Sequence, residues 1–176
     1  MTKEVERQSN MQKSSTKKIA MYGMLIALAF IFSYIESQIP YMFVIPGMKL
    51  GLANIVILIA LYTLGTKSAF ILSIIRVLLA SLTFGNMSMF WFSVAGATLS
   101  FIVMALMKRL KGFSMVGVSV AGGVAHNIGQ IIVAMIMLSE VMIYTLIFLI
   151  IGGTLTGAVI GVIGATACAK LKTALK

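Results

Sequence analysis

The chain has 176 residues, of which 60% are hydrophobic and 10% are charged, and its mean hydropathy is +1.08. Soluble domains are roughly half apolar and about a quarter charged, so this composition excludes an ordinary water-soluble fold and predicts a membrane protein. The formal net charge is +10, but the basic residues gather at the ends of the apolar segments, where they favour a membrane orientation over binding to nucleic acid.

The apolar residues form long runs, which predict about six transmembrane helices of roughly 20 residues each. We expect these spans at about 19–38, 49–64, 68–84, 89–107, 113–138 and 141–169. An open β-sheet cannot satisfy its backbone hydrogen bonds in lipid, and the runs lack the alternation typical of a β-barrel. The predicted fold class is therefore an all-α membrane protein, a bundle of six transmembrane helices.

The distribution of charge divides the chain into three segments. Residues 1–18 are polar and basic and are expected to form a disordered cytoplasmic tail, residues 19–170 a single six-helix transmembrane domain, and residues 171–176 a cytoplasmic C-terminal tail. With six crossings, the basic clusters before the first span, after the fourth span and at the C-terminus all fall on one side. The positive-inside rule therefore predicts that both termini are cytoplasmic and that the protein spans the cell membrane several times.

Small residues recur at steps of about four in several spans, a spacing that lets transmembrane helices approach closely. They are Gly117, Ala121, Ala125 and Gly129 in span five, and Gly153, Gly157, Gly161, Ala165 and Ala169 in span six. We interpret both stripes as internal packing surfaces, with docking to a partner as the alternative. Span one carries Ala20, Gly23 and Ala27 on one face. A first helix at the edge of a bundle has fewer neighbours, so we predict that this face docks a partner subunit, again with internal packing as the alternative.

Ionisable and amide side chains at bilayer depth are few, and they come from four different spans. An ionisable group such as Arg, Lys or Asp at the centre of the bilayer costs roughly 2.5 to 3.5 kcal/mol on insertion, and such groups usually face an interior or a cavity. The predicted substrate-binding residues are Glu36, Lys49, Asn54, Arg76, His126, Asn127 and Gln130. All of them fall between the middle of the membrane and its outer face, which predicts one polar pocket that opens outward. The last three lie within about one helical turn and are expected to share a helix face.

Five of these residues also have a structural interpretation. Arg76 can pair with Glu36, Lys49 can extend its ammonium group to the membrane interface, and His126 can join two helices by hydrogen bonds together with Asn127. As binding groups, the cationic side chains and amide donors favour an anionic or carbonyl-rich ligand.

The residues required for catalysis are missing. The chain has no Asp, and Glu36 and Glu140 are its only acidic residues beyond the N-terminal segment. Prenyl diphosphate synthases need clustered carboxylates to hold magnesium ions, and one His with one Cys cannot form a zinc site. The segment Gly65–Ser68 resembles the end of a phosphate-binding loop, but Ala60 occupies the position of the first glycine. We therefore predict no enzyme activity, no metal and no cofactor, and any ATP-driven step needs a separate ATPase.

Three stretches of the sequence resemble a known membrane family. They are Ser33–Pro40, Pro46–Asn54 and Ala125–Gln130, and the likeness extends over about residues 18–170. The family is labelled heptaprenyl diphosphate synthase component I and is also called the Gx transporter family. It is similar to the S components of energy-coupling factor (ECF) transporters, which have six helices and an outward-facing ligand pocket. In S components, small residues of the first helix dock onto the coupling subunit, a role that the resemblance gives to Gly23 and Ala27.

Three functional hypotheses remain open at this stage. The first is an S-component-like subunit that binds a small solute for uptake, either vitamin-like or related to isoprenoids or quinones, and depends on an ECF coupling subunit and ATPases for energy. The alternative is a non-catalytic membrane subunit associated with heptaprenyl diphosphate synthase. The third is a stand-alone channel or carrier, which the small number of coupling carboxylates disfavours. The predicted partners are a small-molecule substrate, the ECF subunits and the lipid bilayer, but no nucleic acid.

Overall fold

The computed structural model describes residues 2–38, 51–110, 112–137 and 146–174, and these ranges hold six α-helices. They are α1 (Thr2–Gln38), α2 (Asn54–Thr63), α3 (Thr66–Phe84), α4 (Met87–Arg109), α5 (Met115–Met137) and α6 (Leu146–Ala174). The predicted all-α fold class is confirmed. Five of these helices are long and apolar enough to cross a membrane, and α2 is an apolar helix too short to do so. The count of six spans and the cytoplasmic placement of both termini stay predictions.

Helix α2 differs most from the sequence-based prediction, which placed a span at 49–64. It has 10 residues and is therefore about 15 Å long, half the thickness of a bilayer core. Its residues from Asn54 to Leu61 are all buried, because α2 contacts each of the other five helices. Before it, Gly51 has a φ of +85°, a left-handed conformation that favours glycine. The predicted span is thus in large part a short helix in the centre of the bundle.

Helix α1 is longer than predicted and runs without interruption from Thr2. The segment that we expected to be disordered is helical, because Lys, Glu, Gln and Arg favour helices and no Gly or Pro precedes Gly23. The membrane-spanning part begins only at Thr16, so residues 2–15 extend the helix as a polar segment. At the other end, α6 continues to Ala174 and includes most of the predicted C-terminal tail. The division into domains otherwise stays a prediction.

The α6 stripe of small residues packs against α5. A Cβ atom added at Gly157 would lie 2.7 Å from the Cα atom of Val120, and one at Gly153 would lie 2.9 Å from the carbonyl oxygen of Gly123. Gly161 approaches the backbone of α5 in the same way. These distances are too short for any side chain, so the two backbones are in direct contact. The interpretation of the α6 stripe as an internal packing surface is confirmed for Gly153, Gly157 and Gly161, whereas Ala169 at its end is exposed.

The face of α5 that meets α6 differs from the α5 stripe of small residues, which was predicted only to pack within the bundle. Val120 and Gly123 meet α6, whereas a Cβ atom at Gly117 would contact only atoms of its own turn. Gly129 instead faces α4, where a Cβ atom would lie 2.6 Å from the carbonyl oxygen of Ala95. Helix α5 lies between α4 and α6 and has extensive contacts with both. Its small residues therefore allow its backbone to approach each of these two helices closely.

The C-terminal end of α2 is held by a cation from α4. The ammonium group of Lys108 donates a hydrogen bond to the carbonyl oxygen of Leu61 and lies 5.1 Å from the centroid of the Tyr62 ring. The last carbonyl groups of a helix have no partner within the helix, so this side chain satisfies one of them.

Replacing Lys108 by Met is expected to lower the free energy of unfolding by about 1–2 kcal/mol, because a charge-assisted hydrogen bond and a cation–π contact are lost. Denaturant unfolding in detergent micelles measures this difference. Arg109 is exposed, so Arg109→Met removes an equal charge from the next position and serves as the control. Equal losses for the two variants would contradict the role of this contact.

Candidate functional site

Six polar side chains from the first five helices are buried close together inside the bundle. We call them the polar cluster: Glu36 of α1, Asn54 of α2, Arg76 of α3, Ser100 of α4, and His126 and Gln130 of α5. The exposed fraction of each is 7% or less. Five of these residues were predicted as substrate-binding residues from the sequence, and the structure brings them to one region of the interior.

A chain of hydrogen bonds links three helices through Asn54. Its Oδ1 atom accepts a hydrogen bond from Nη1 of Arg76 at 3.1 Å, and its Nδ2 atom donates to the hydroxyl of Ser100 at 3.4 Å. Both ends of the Asn54 amide are therefore engaged, and the amide fixes the position of the guanidinium group. Arg76 has further N–H donors that this bond does not use.

The carboxylate of Glu36 holds the backbone that precedes α2. Its Oε1 atom accepts hydrogen bonds from the amide of Gly51 and from the amide of Leu52 at 3.2 Å. An attractive Coulombic interaction also couples Glu36 to Arg76, in line with the structural interpretation of these two residues. The negative charge thus positions α2 and partly balances the buried guanidinium.

His126 and Gln130 form the α5 side of the polar cluster. Their Nε2 atoms are 3.0 Å apart, and with Gln130 as the donor the neutral imidazole accepts through Nε2 and carries its proton on Nδ1. Two glycines provide the space for the ring. A Cβ atom at Gly96 would lie 2.8 Å from Cε1 of His126, and one at Gly51 would lie 3.2 Å from Cδ2.

The structure separates Asn127 from this group. Its Nδ2 atom donates to the carbonyl oxygen of Leu149 on α6 at 2.6 Å, and its Oδ1 atom is buried without a hydrogen-bond partner among the described residues. The expectation that Asn127 shares one helix face with His126 and Gln130 is wrong. The rotation of about 100° per helical residue turns it away from α4 and towards α6. Its contact favours the structural interpretation, in which an amide joins two helices.

The remaining predicted residues are Lys49 and the small residues of α1, and two residues of α4 join the site without having been predicted. Lys49 lies outside the described residues. Ala20, Gly23 and Ala27 are exposed on α1, and a Cβ atom at Gly23 would meet no atom within 4 Å. Ser100 and Gly96 were not predicted as site residues; they lie four residues apart on α4, and both face the polar cluster. A Gly-x-x-x-Ser pair within an apolar span is a weak signal for such a surface.

A separate apolar groove of about 230 Å³ lies between α3 and α4. Its lining is Phe70, Ser73, Ile74, Val77, Leu78, Phe90, Val94, Ala97, Thr98 and Phe101. None of the predicted substrate-binding residues lines this groove. Several lining side chains, including Phe70 and Leu78, are nearly half exposed, so the groove belongs to the outer surface of the bundle and not to the polar cluster.

Chemically, the polar cluster is rich in hydrogen-bond donors and contains one guanidinium group. Such a set is the complement of a carboxylate, a phosphate or a carbonyl oxygen. Among the described residues, no three metal-ligating side chains of His, Cys, Asp or Glu come together.

Replacing Gly96 by Ala is expected to displace the imidazole of His126 and to destabilise the protein by about 1–3 kcal/mol through overpacking. The chain contains one His, so the imidazole resonances in a ¹⁵N NMR spectrum report on this site alone. Gly23→Ala, at an open position of α1, should leave both the spectrum and the thermal stability in detergent unchanged. An unaltered imidazole spectrum in Gly96→Ala would contradict the described contact.

These helices and their buried ionisable side chains define a multi-pass integral membrane protein. The family model for heptaprenyl diphosphate synthase component I matches residues 25–167. This match covers most of the chain, so the chain belongs to that family, and the resemblance seen in the sequence is confirmed. Searches of curated proteins and of solved structures find no match. The likeness to S components of ECF transporters stays a prediction.

Membership of this family also bears on catalysis. The family is named as component I of a heptaprenyl diphosphate synthase. The sequence of this chain has four acidic residues, and none of them is Asp.

Proposed function

We propose that this chain is the non-catalytic membrane subunit of a heptaprenyl diphosphate synthase system. The observation that carries the proposal is the family match over residues 25–167. A chain without Asp cannot hold the magnesium ions that a diphosphate substrate needs, so the catalytic carboxylates must belong to a soluble partner. The prenyl product has a long apolar chain, and a membrane-embedded subunit would keep the partner at the bilayer that receives this product.

The polar cluster supports a binding role for the membrane subunit. Burying charged side chains such as Arg76 at bilayer depth costs several kcal/mol, and such residues commonly mark functional sites. We assign ligand contact to Arg76, His126 and Gln130, and we assign positioning of Arg76 and of the start of α2 to Asn54 and Glu36. Lys49 stays part of the proposed site on the strength of the sequence. The ligand class that fits is an anion or a carbonyl compound related to isoprenoids.

Reconstitution with the soluble catalytic component of a heptaprenyl diphosphate synthase tests this function. We expect the purified component to bind proteoliposomes that contain the chain, and to release a larger share of its polyprenyl product into those membranes. Proteoliposomes with an unrelated helical membrane protein of similar size are the control. If the soluble component neither binds nor changes its product distribution, the proposed partnership is wrong.

A second candidate is a solute-binding subunit for uptake, energised by a coupling subunit and ATPases. The observation that favours it is the open small-residue face of α1, where Ala20, Gly23 and Ala27 are exposed. A face of this kind would allow close approach by a transmembrane helix of a partner. The polar cluster would then hold a vitamin-like, quinone-related or isoprenoid-related solute.

Mass spectrometry of everything retained after gentle detergent purification separates the two candidates. A bound small solute together with co-purified membrane coupling subunits and ATPases would favour uptake, whereas retention of the soluble synthase component would favour the first proposal. Gly23→Leu should remove the coupling subunit only if α1 docks it, and Gly152→Leu on α6, also at an open position, is the matched control.

A further inference from the structure

The apolar groove between α3 and α4 contains two hydroxyl groups at the same level. The rings of Phe70 and Phe101, one on each side of the groove, have their centroids 5.3 Å apart. This contact shows which positions of the two antiparallel helices face each other. Three residues closer to the connecting turn lie Ser73 on α3 and Thr98 on α4, and both line the groove. The two hydroxyls therefore lie at about the same height along the groove.

Neither hydroxyl has a hydrogen-bond partner in the part of the chain that the structure describes. The exposed fraction of Ser73 is 6%, whereas Thr98 is exposed at the rim of the groove. In lipid, a helical Ser or Thr commonly donates to a carbonyl oxygen one turn earlier. Thr83, Thr154 and Thr166 do so in their spans. The O–H donors of Ser73 and Thr98 are instead available to a molecule in the groove.

Both hydroxyls also lie near the centre of the membrane. Thr98 is the middle residue of the span Met87–Arg109, and Ser73 lies two residues before Ile75, the middle residue of Thr66–Phe84. At 1.5 Å per residue, both positions are within about 3 Å of the middle of their spans. The hydrocarbon core contains no water to pair with a hydroxyl, so an unpaired one is costly there. A ligand that accepts these hydrogen bonds would remove that cost.

The depth of the two hydroxyls restricts what can occupy the groove. The hydrocarbon core is about 30 Å thick, so the ester carbonyls of phospholipids lie about 15 Å from its centre. A phospholipid can place only an acyl chain in the groove, and this chain would leave both hydroxyls unpaired. A lipid-soluble molecule with its own carbonyl group can reach this depth. Its oxygen has two lone pairs and can accept from both donors.

The lining and the size of the groove indicate the shape of this molecule. Apart from the two hydroxyl-bearing residues, the lining is aliphatic or aromatic, with rings at Phe70, Phe90 and Phe101. Aromatic side chains pack favourably against another ring in offset or edge-to-face arrangements. The volume of about 230 Å³ is smaller than the roughly 300–1,000 Å³ of sites for drug-sized ligands. It fits one or two rings, whereas a partner helix about 10–12 Å wide is too broad to enter.

We propose that the groove between α3 and α4 is a binding site for a small aromatic ketone dissolved in the bilayer. The carbonyl oxygen of the ketone accepts hydrogen bonds from Ser73 at the floor and from Thr98 at the rim, while its rings pack against Phe70 and Phe101. The site takes a neutral ligand and lies apart from the polar cluster, whose guanidinium group suits an anion. It does not depend on the partnership with a soluble synthase component.

The test uses the full chain in nanodiscs of ether-linked phosphatidylcholine, a lipid without carbonyl groups, and benzophenone as the probe. Tritium-labelled benzophenone should bind saturably, above its partition into nanodiscs without the chain. Diphenylmethane has the same two rings without the carbonyl, and it should bind at least about tenfold more weakly because both hydrogen bonds are lost. Irradiation should attach bound benzophenone to peptides of α3 and α4.

Two variants remove the hydroxyls one at a time. Ser73→Ala and Thr98→Val should each weaken benzophenone binding about threefold to tenfold without weakening that of diphenylmethane. Ser81→Ala is the matched control on α3, because Ser81 is also buried without a hydrogen-bond partner among the described residues but does not line the groove. Thr154→Val, at an exposed position of α6, is the control for Thr98→Val. Both controls should bind benzophenone as the wild-type chain does.

Three results would overturn this assignment. Equal affinity for benzophenone and diphenylmethane would mean that the groove accepts any apolar molecule, lipid acyl chains included. Benzophenone binding that Ser73→Ala and Thr98→Val leave unchanged would place the ketone elsewhere. Rapid disulfide formation between two copies of a Leu78→Cys variant, at an exposed position of the groove, would make a second copy the occupant. None of these results bears on the proposed function, which is tested with the soluble component.

Discussion

Replacing Gly157 by Leu is expected to prevent α6 from packing on α5 and to abolish most of the folded protein in detergent. A Cβ atom at this position would lie 2.7 Å from the Cα atom of Val120 and 2.9 Å from the carbonyl oxygen of Ser119. Both are backbone atoms, which cannot rotate away as a side chain can. The helices would have to separate, and the contacts between the two backbones would be lost along their whole length.

The expected cost of Gly157→Leu exceeds that of ordinary overpacking, which is typically 1–3 kcal/mol. In lipid, close van der Waals contact is a main source of helix association, so little else compensates for it. Fluorescence-detected size exclusion and thermal unfolding in mild detergent measure the folded fraction and its stability.

Gly152→Leu is the matched control for this experiment. Gly152 lies five residues earlier on the same helix, and a Cβ atom there would meet no atom within 4 Å. The two variants add the same apolar bulk to α6 and differ only in the face that carries it. A Gly157→Leu protein as stable as Gly152→Leu would show that α5 and α6 are not in backbone contact at this position.

The sequence predicted the helical class, and it predicted α3, α4 and α5 to within two residues at each end, because apolar run length follows from bilayer thickness. Helix α2 shows the limit of that rule. Its uniformly apolar sequence is typical of both a membrane span and a helix buried among other helices. What distinguishes the two cases is that α2 begins only at Asn54. This start depends on the hydrogen bonds that Glu36 accepts and on the left-handed backbone of Gly51. Neither feature can be inferred from hydropathy.

Much of the polar cluster could be predicted for a similar reason. Charged and amide side chains are so costly in lipid that Arg76, His126 and Gln130 had to face the interior, whatever the packing. The error at Asn127 arose because a three-residue step permits a shared face without requiring it. Which side of α5 meets α6 is decided by the close approach of Gly123 and Gly153, and both helices offer small residues on more than one side.

Replacing Arg76 by Met is expected to destabilise the protein by about 3 kcal/mol, because breaking a buried charge pair leaves the remaining charge uncompensated. The exposed fraction of Arg76 is 7%. Its loss deprives Asn54 Oδ1 of a donor and removes the cation that interacts with Glu36. Lys67 is exposed at the start of α3, so Lys67→Met removes a charge from the same helix and should change the stability by less than about 0.5 kcal/mol.

A double-mutant cycle with Glu36→Gln distinguishes charge pairing from packing. The Gln oxygen can still accept hydrogen bonds from the amides of Gly51 and Leu52. Glu36→Gln therefore removes the charge but keeps the hydrogen bonds that position the start of α2. In the Arg76→Met background this second change should recover at least about 1 kcal/mol, because no unbalanced carboxylate remains. Strictly additive losses would mean that the two charges act independently. The buried guanidinium would then be held in place by Asn54 and the surrounding helices alone.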